Sequence, residues 1–155
     1  MVKGREGEGF LGVNIKARVR FDFRGRPQAY RLFHGAKRAT EVAAETRERE
    51  LALLRNLPLQ GIRVLEVDTS PEVYQVSDPV TGEEVGYAPV IIEVEADAIE
   101  DLVRFILREE FRKIEVLEPA EILLSHWDAE RFLYRMGEEM KQQITVALRR
   151  MESGR

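Results

Sequence analysis

The densest set of groups able to do chemistry in this 155-residue sequence lies between residues 24 and 38, where Arg24, Arg26, Arg31, His34, Lys37 and Arg38 surround a strand–helix junction. Cationic side chains gathered where a helix begins hold anions, because they add full charge to the partial charge of free backbone N–H groups. These six residues are the candidate ligand site, with an anionic ligand or RNA as its occupant.

The remaining groups are less organised. His34 and His126 lie far apart with no ligand spacing around either, so they read as surface or capping-turn residues and no metal site is expected. Glu83-Glu84, Glu109-Glu110 and Glu138-Glu139 are adjacent pairs. Neighbours in sequence on a helix do not face each other, so none makes a carboxylate dyad. Asp97, Glu100 and Asp101 crowd a helix start, where acids stabilise the dipole. Trp127 and Tyr134, one heptad apart, read as a packing pair. The absence of cysteine excludes disulfides, a thiolate nucleophile and Cys-ligated metals. No glycine-rich nucleotide loop and no nucleophile elbow occurs. No catalytic residue is assigned and no cofactor is expected; the chain reads as non-enzymatic.

Charge is divided unevenly. Residues 1–38 hold ten Lys or Arg against Glu6, Glu8 and Asp22, whereas the other 117 residues hold 14 basic and 25 acidic side chains. The basic segment either binds a polyanion or neutralises the protein's own acids. Hydrophobic residues at 44% with 34% charged are a globular balance, and the wealth of Arg and Glu is thermophile-like. No run approaches the ~20 apolar residues of a membrane helix, and the polar, glycine-rich start has no signal-peptide pattern. A cytoplasmic protein without membrane contact is expected.

The elements that must position these groups follow from periodicity. Residues 1–12, with four glycines among charges, read as a flexible lead-in. Val13, Ile15, Ala17, Val19, Phe21 and Phe23 then alternate with polar residues, as in a strand buried on one face. Pro27 is suited to open a helix, and Gln28–Leu57 carries helix formers with a stripe of Phe33, Ala36, Thr40, Ala43, Leu51, Leu54 and Leu57. A continuous helix there would reach roughly 45 Å at ~1.5 Å per residue, beyond what ordinary strands cover. Ile62–Ser77 reads as one strand kinked at Pro71, a turn follows at residues 78–82, and Glu83–Ala96 returns as a strand. Asp97 and Glu100 have capping-box spacing before a helix with Ile99, Leu102, Val103, Ile106 and Leu107 on one face. Lys113–Glu118 is a strand ended by Pro119. Ser125 and Asp128 repeat the capping-box spacing before a last long helix.

This order predicts an α+β fold, the ferredoxin-like split βαβ sandwich: a four-stranded antiparallel sheet, two helices on one face, and an added C-terminal helix. The domain boundaries are 1–12 for the lead-in, 13–119 for the ferredoxin-like domain and 120–155 for the helical extension. In this arrangement Lys16, Arg18, Arg20 and Arg24 form an exposed row flanked by Glu93 and Glu95 on one side and Glu115 on the other, so cross-strand ion pairs are expected.

Two resemblances accompany this reading. Gly25-Arg26-Pro27-Gln28-Ala29-Tyr30-Arg31 is similar to the phosphate cradle of acylphosphatases at Gly25, Gln28 and Arg31, which implies hydrolysis of an acyl phosphate. It departs from that motif in lacking two residues before the Arg and the cradle glycines, and in having Pro27 where the family has Val. No Asn stands where the family places its water-orienting residue. The helix Leu102–Leu107 followed by Ile114-Glu115-Val116-Leu117-Glu118-Pro119 resembles the C-terminal extension of WYL-type transcriptional regulators, itself ferredoxin-like. No helix-turn-helix segment accompanies it.

The last helix carries a narrow seam, Leu133, Met136, Met140, Ile144, Ala147 and Met151, with charged flanks. Leu133, Met136, Met140, Ile144 and Met151 are the expected interface of a homodimer. The expected function is that of a regulatory or scaffolding domain acting by self-association.

Overall fold

The structure, a computed structural model, describes residues 14–28, 35 and 37–154. Its elements are β1 (Ile15–Gly25), α1 (Ala39–Asn56), β2 (Ile62–Asp68), β3 (Tyr74–Ser77), β4 (Glu84–Ala96), α2 (Ile99–Ile106), β5 (Phe111–Glu118) and α3 (His126–Ser153). The sheet is open and antiparallel, with five strands in the order β2-β4-β1-β5 and β3 on the same edge of β4 as β2. The class is α+β.

The period-two pattern of β1 does what it predicts. Ile15, Ala17, Val19, Phe21 and Phe23 are buried opposite Ala96, Val94, Ile92, Val90 and Ala88 of β4. Leu51 of α1 and Leu102 and Phe105 of α2 close the core from the same side, so both helices cover one face. Phe105 meets Phe21 edge to face with centroids 5.2 Å apart.

The first helix is shorter than its helix-forming residues suggest. It begins at Ala39, and Gln28 forms an isolated antiparallel bridge with Lys37 instead of entering a helix. Two glycines seat its first turn on the sheet. Gly25 and Gly86 are register partners, and a Cβ on either would collide with the backbone of Ala39, Thr40 or Ala43. The first turn of α1 is thus seated directly on the sheet, with Ala39 and Ala43 as its small contact residues. At ~1.5 Å per residue its 18 residues span about 27 Å, within the length of β1, so the expected overhang of the first helix does not occur. Phe33 and Ala36 of the predicted stripe, and the 1–12 lead-in, lie outside the described residues.

Two further boundaries differ. The predicted kinked strand is two strands, separated where the Asp68 carboxylate accepts the Ser70 N–H at 2.8 Å. Asp97 does not cap α2. Its backbone N–H is taken by the Gly61 carbonyl at 2.9 Å, which leaves Ala98 at the cap position without a side-chain acceptor. Ser125 and Asp128 do form the reciprocal capping box of α3, and the turn at Asp78 is closed by its carboxylate accepting from Val80 and Thr81.

Candidate functional site

The basic row of β1 is matched by acids from both neighbours. Lys16 and Arg18 reach Glu93 at 3.0 and 3.4 Å, Arg18 lies 4.0 Å from Glu115, and Arg63 of β2 pairs with Glu95. The Lys16 hydrogen bond is the main reason that the Glu93 carboxyl is held below its ordinary range, and the same bond raises the Lys16 ammonium.

Beyond that row lies a cluster that the sequence alone does not announce. Asp22 is 3% exposed although it sits on the helix-free face. Its carboxylate accepts from Arg20 Nε at 2.8 Å and from the Tyr74 hydroxyl at 2.6 Å, with Arg112 at 3.7 Å. Tyr74 stacks on Tyr87, and the Arg112 guanidinium lies 5.6 Å from the Tyr87 ring centre. Burial, then the bond to Asp22, raises the Tyr74 hydroxyl, and Asp22 raises the Arg20 guanidinium. The only clue in the sequence is an acid at an outward position among four cations. Its aromatic cover comes from strands far along the chain.

The candidate anion site is only partly assembled among the described residues. Arg24 and Arg26 are exposed beyond the middle of β1, and both act on Asp78, whose carboxyl is lowered first by the Val80 and Thr81 N–H groups and then by these two charges. Lys37 binds the Glu45 carboxylate, with Nζ 2.7 Å from Oε2. Arg38 is the N-cap residue of α1, and its backbone N–H donates to Glu41 at 3.2 Å. Arg31 and His34 lie outside the described residues. Gly25, the first residue of the acylphosphatase-like segment, is buried beneath the first turn of α1.

The last helix divides into two halves. Its first half packs on α2, with Asp128, Ala129, Phe132, Arg135 and Met136 partly covered and Glu139 at 5% exposure. Arg104 of α2 donates to Glu139 at 2.8 Å, Arg135 adds to it at 3.9 Å, and Arg131 reaches Glu100 at 3.6 Å. A buried carboxylate needs such cations around it. From residue 141 to 154 every residue is exposed.

The apolar seam runs the length of both halves. Leu133, Met140, Ile144 and Met151 are open to solvent, as are Tyr134 and Leu148. Met136, assigned to the seam from sequence, turns toward the α2 side and is half-buried, whereas Gly137 is exposed and takes its place in the spacing. Trp127 and Tyr134 are not a packing pair: both are exposed, and one heptad separates them by ~10 Å along the axis. The Trp127 ring instead lies 4.3 Å from that of His126.

Among the described residues no helix is long and apolar enough to cross a membrane, and no three His, Asp or Glu side chains are grouped as a metal site. Comparison with protein families, with curated proteins and with solved structures gives no match for this chain.

Proposed function

We propose that the chain is a non-catalytic regulatory or scaffolding domain of ferredoxin-like topology that acts by self-association through α3. The strand order β2-β4-β1-β5, all antiparallel, with helices after β1 and β4 on one face, supports the topology. β3 and α3 are additions to it. The observation that carries the functional reading is α3 itself, whose last 14 described residues are all exposed while keeping an apolar seam. An isolated helix of that length is marginal in water, because helices gain most of their stability by burying a face. A two-fold dimer is the commonest closed arrangement that supplies the missing cover.

Light scattering at micromolar concentration tests the reading. A dimer mass is expected for the intact chain, and a monomer mass overturns it. Met140→Glu with Ile144→Glu, both at exposed positions, should give a folded monomer.

The rival reading is an RNA or phosphate-ligand binder using Arg24, Arg26 and Arg38, which are exposed. Asp78 and Glu45 stand against it, since each answers part of the cluster's charge. Salt-sensitive binding of single-stranded RNA that disappears on Arg24→Glu with Arg26→Glu would favour this rival.

A further inference from the structure

Building on α3 as the association element, we propose that two copies pair their α3 helices antiparallel. Leu133 then faces Met151 of the partner subunit, Gly137 faces Ala147 of the partner subunit, and Met140 faces Ile144 of the partner subunit. The exposed seam, Leu133, Gly137, Met140, Ile144, Ala147 and Met151, advances by steps of four, three, four, three and four residues. That is a period of 3.5, which keeps one stripe facing a partner helix along its whole length.

The order of side-chain size in this seam reads the same in both directions: large, small, large, large, small, large. Reversing one helix therefore sets small against small at two places and large against large elsewhere, without a gap. Gly137 supports a close approach there. Glycine inside a helix costs ~1 kcal/mol relative to Ala, yet among the described residues nothing lies within 4 Å of where its Cβ would be. No contact among them accounts for the missing side chain.

Size alone would also permit a parallel pair, and charge decides between them. The first half of α3 carries Asp128, Glu130, Glu138 and Glu139 against Arg131 and Arg135, whereas the second half carries Lys141, Arg149 and Arg150 against Glu152. A parallel pair lays the net positive second half beside its own copy. An antiparallel pair lays the basic half toward the acidic half of the partner subunit and opposes the two helix dipoles. It also sets the two globular bodies at opposite ends of the pair.

The chain has no cysteine, so introduced thiols report unambiguously. The test uses Leu133→Cys and Met151→Cys in the full chain, each expressed alone and the two co-expressed, with mild oxidation and light scattering on the same samples. In the antiparallel pair, position 133 is ~27 Å along the axis from position 133 of the partner subunit. A disulfide needs Cα atoms about 4.4–6.8 Å apart. Neither variant alone should cross-link, and the co-expressed pair should form the mixed disulfide. A dimer mass with disulfides in each single variant overturns the antiparallel orientation while leaving self-association through α3 in place. A dimer that cross-links in no combination overturns both, and so does a monomer mass.

Discussion

Replacing Gly86 by Ala should be among the most damaging single-methyl changes in this protein. The added Cβ would point at the Ala39 carbonyl and the Thr40 nitrogen, with Gly25 beside it equally closed by Ala39 and Ala43. These are backbone atoms of a helix, so no rotamer change relieves the collision; α1 must lift or β4 must sink. Overpacking a filled site costs ~1–3 kcal/mol, and the rigid neighbours put this case at the upper end. For a chain of this size ~3 kcal/mol corresponds to a fall in Tm of roughly 6–12 °C. Thermal unfolding followed by far-ultraviolet circular dichroism reads this directly. Gly35→Ala is the control, since among the described residues a Cβ there meets nothing within 4 Å and its backbone is not left-handed. It should stay within about 0.5 kcal/mol of the parent. Adding Ala39→Gly to Gly86→Ala should not restore stability, because the obstructing atoms are main chain. A Tm for Gly86→Ala within about 2 °C of the parent would refute the argument that this glycine pair seats the helix.

Tyr74→Phe removes the hydroxyl that donates to the buried Asp22 carboxylate, and losing one partner of a buried acceptor should cost ~1–3 kcal/mol by urea denaturation. Acid should unfold the protein partly through Asp128 and Glu93, whose carboxyls are lowered by bonds from Ser125 and Lys16 respectively. Between the ordinary carboxylate value of ~4 and the lower folded value the unfolded chain binds more protons, so this stability is complete above pH ~4 and is lost as pH falls through the folded value. Asp128→Asn should flatten that acid limb in a Tm-against-pH series. Asp101 has the opposite sign: burial raises its carboxyl, so its folded form takes up a proton before the unfolded one does and gains as pH falls. Asp101→Asn should therefore raise Tm at pH 7 and change it less at pH 3.

Much of this architecture is legible in the chain because the governing signals are local. Six apolar residues at period two can only be one face of a strand, and Ser125 with Asp128 satisfies a helix start without outside help. What the chain hides depends on partners distant in sequence. Helix formers run from Gln28 onward, but α1 begins at Ala39, where its first turn is seated against Gly86 of β4. Asp97 has the right residue type and spacing for a cap, yet Gly61 claims its N–H first. Asp22 looks like one more surface acid until Tyr74 and Arg112 arrive from β3 and β5 to bury it. The cross-strand pairing of the basic row was readable for a related reason. Once β1 is central, residues of fixed parity on β4 and β5 must face it, and those residues are Glu93, Glu95 and Glu115.

The same logic separates the two halves of α3. A helix that needs only one neighbour can meet its need with one stripe, and the first half does so with Phe132, Met136 and the Glu139–Arg104 pair against α2. Had the seam served that contact, Leu133, Met140 and Ile144 would be the covered residues; they are the open ones. The second stripe is the face that the proposed pairing of α3 would cover. Fully burying a Leu, Ile or Met side chain is worth ~1.5–3 kcal/mol, so covering Leu133, Met140, Ile144 and Met151, which are 49–72% exposed, would gain about 4–7 kcal/mol per chain. The basic cluster at the strand–helix junction makes the opposite case. There the neighbouring acids, Asp78 and Glu45, answer part of what the sequence leaves unbalanced. An open apolar stripe and a partly met charge cluster rank the two functional readings in the order given.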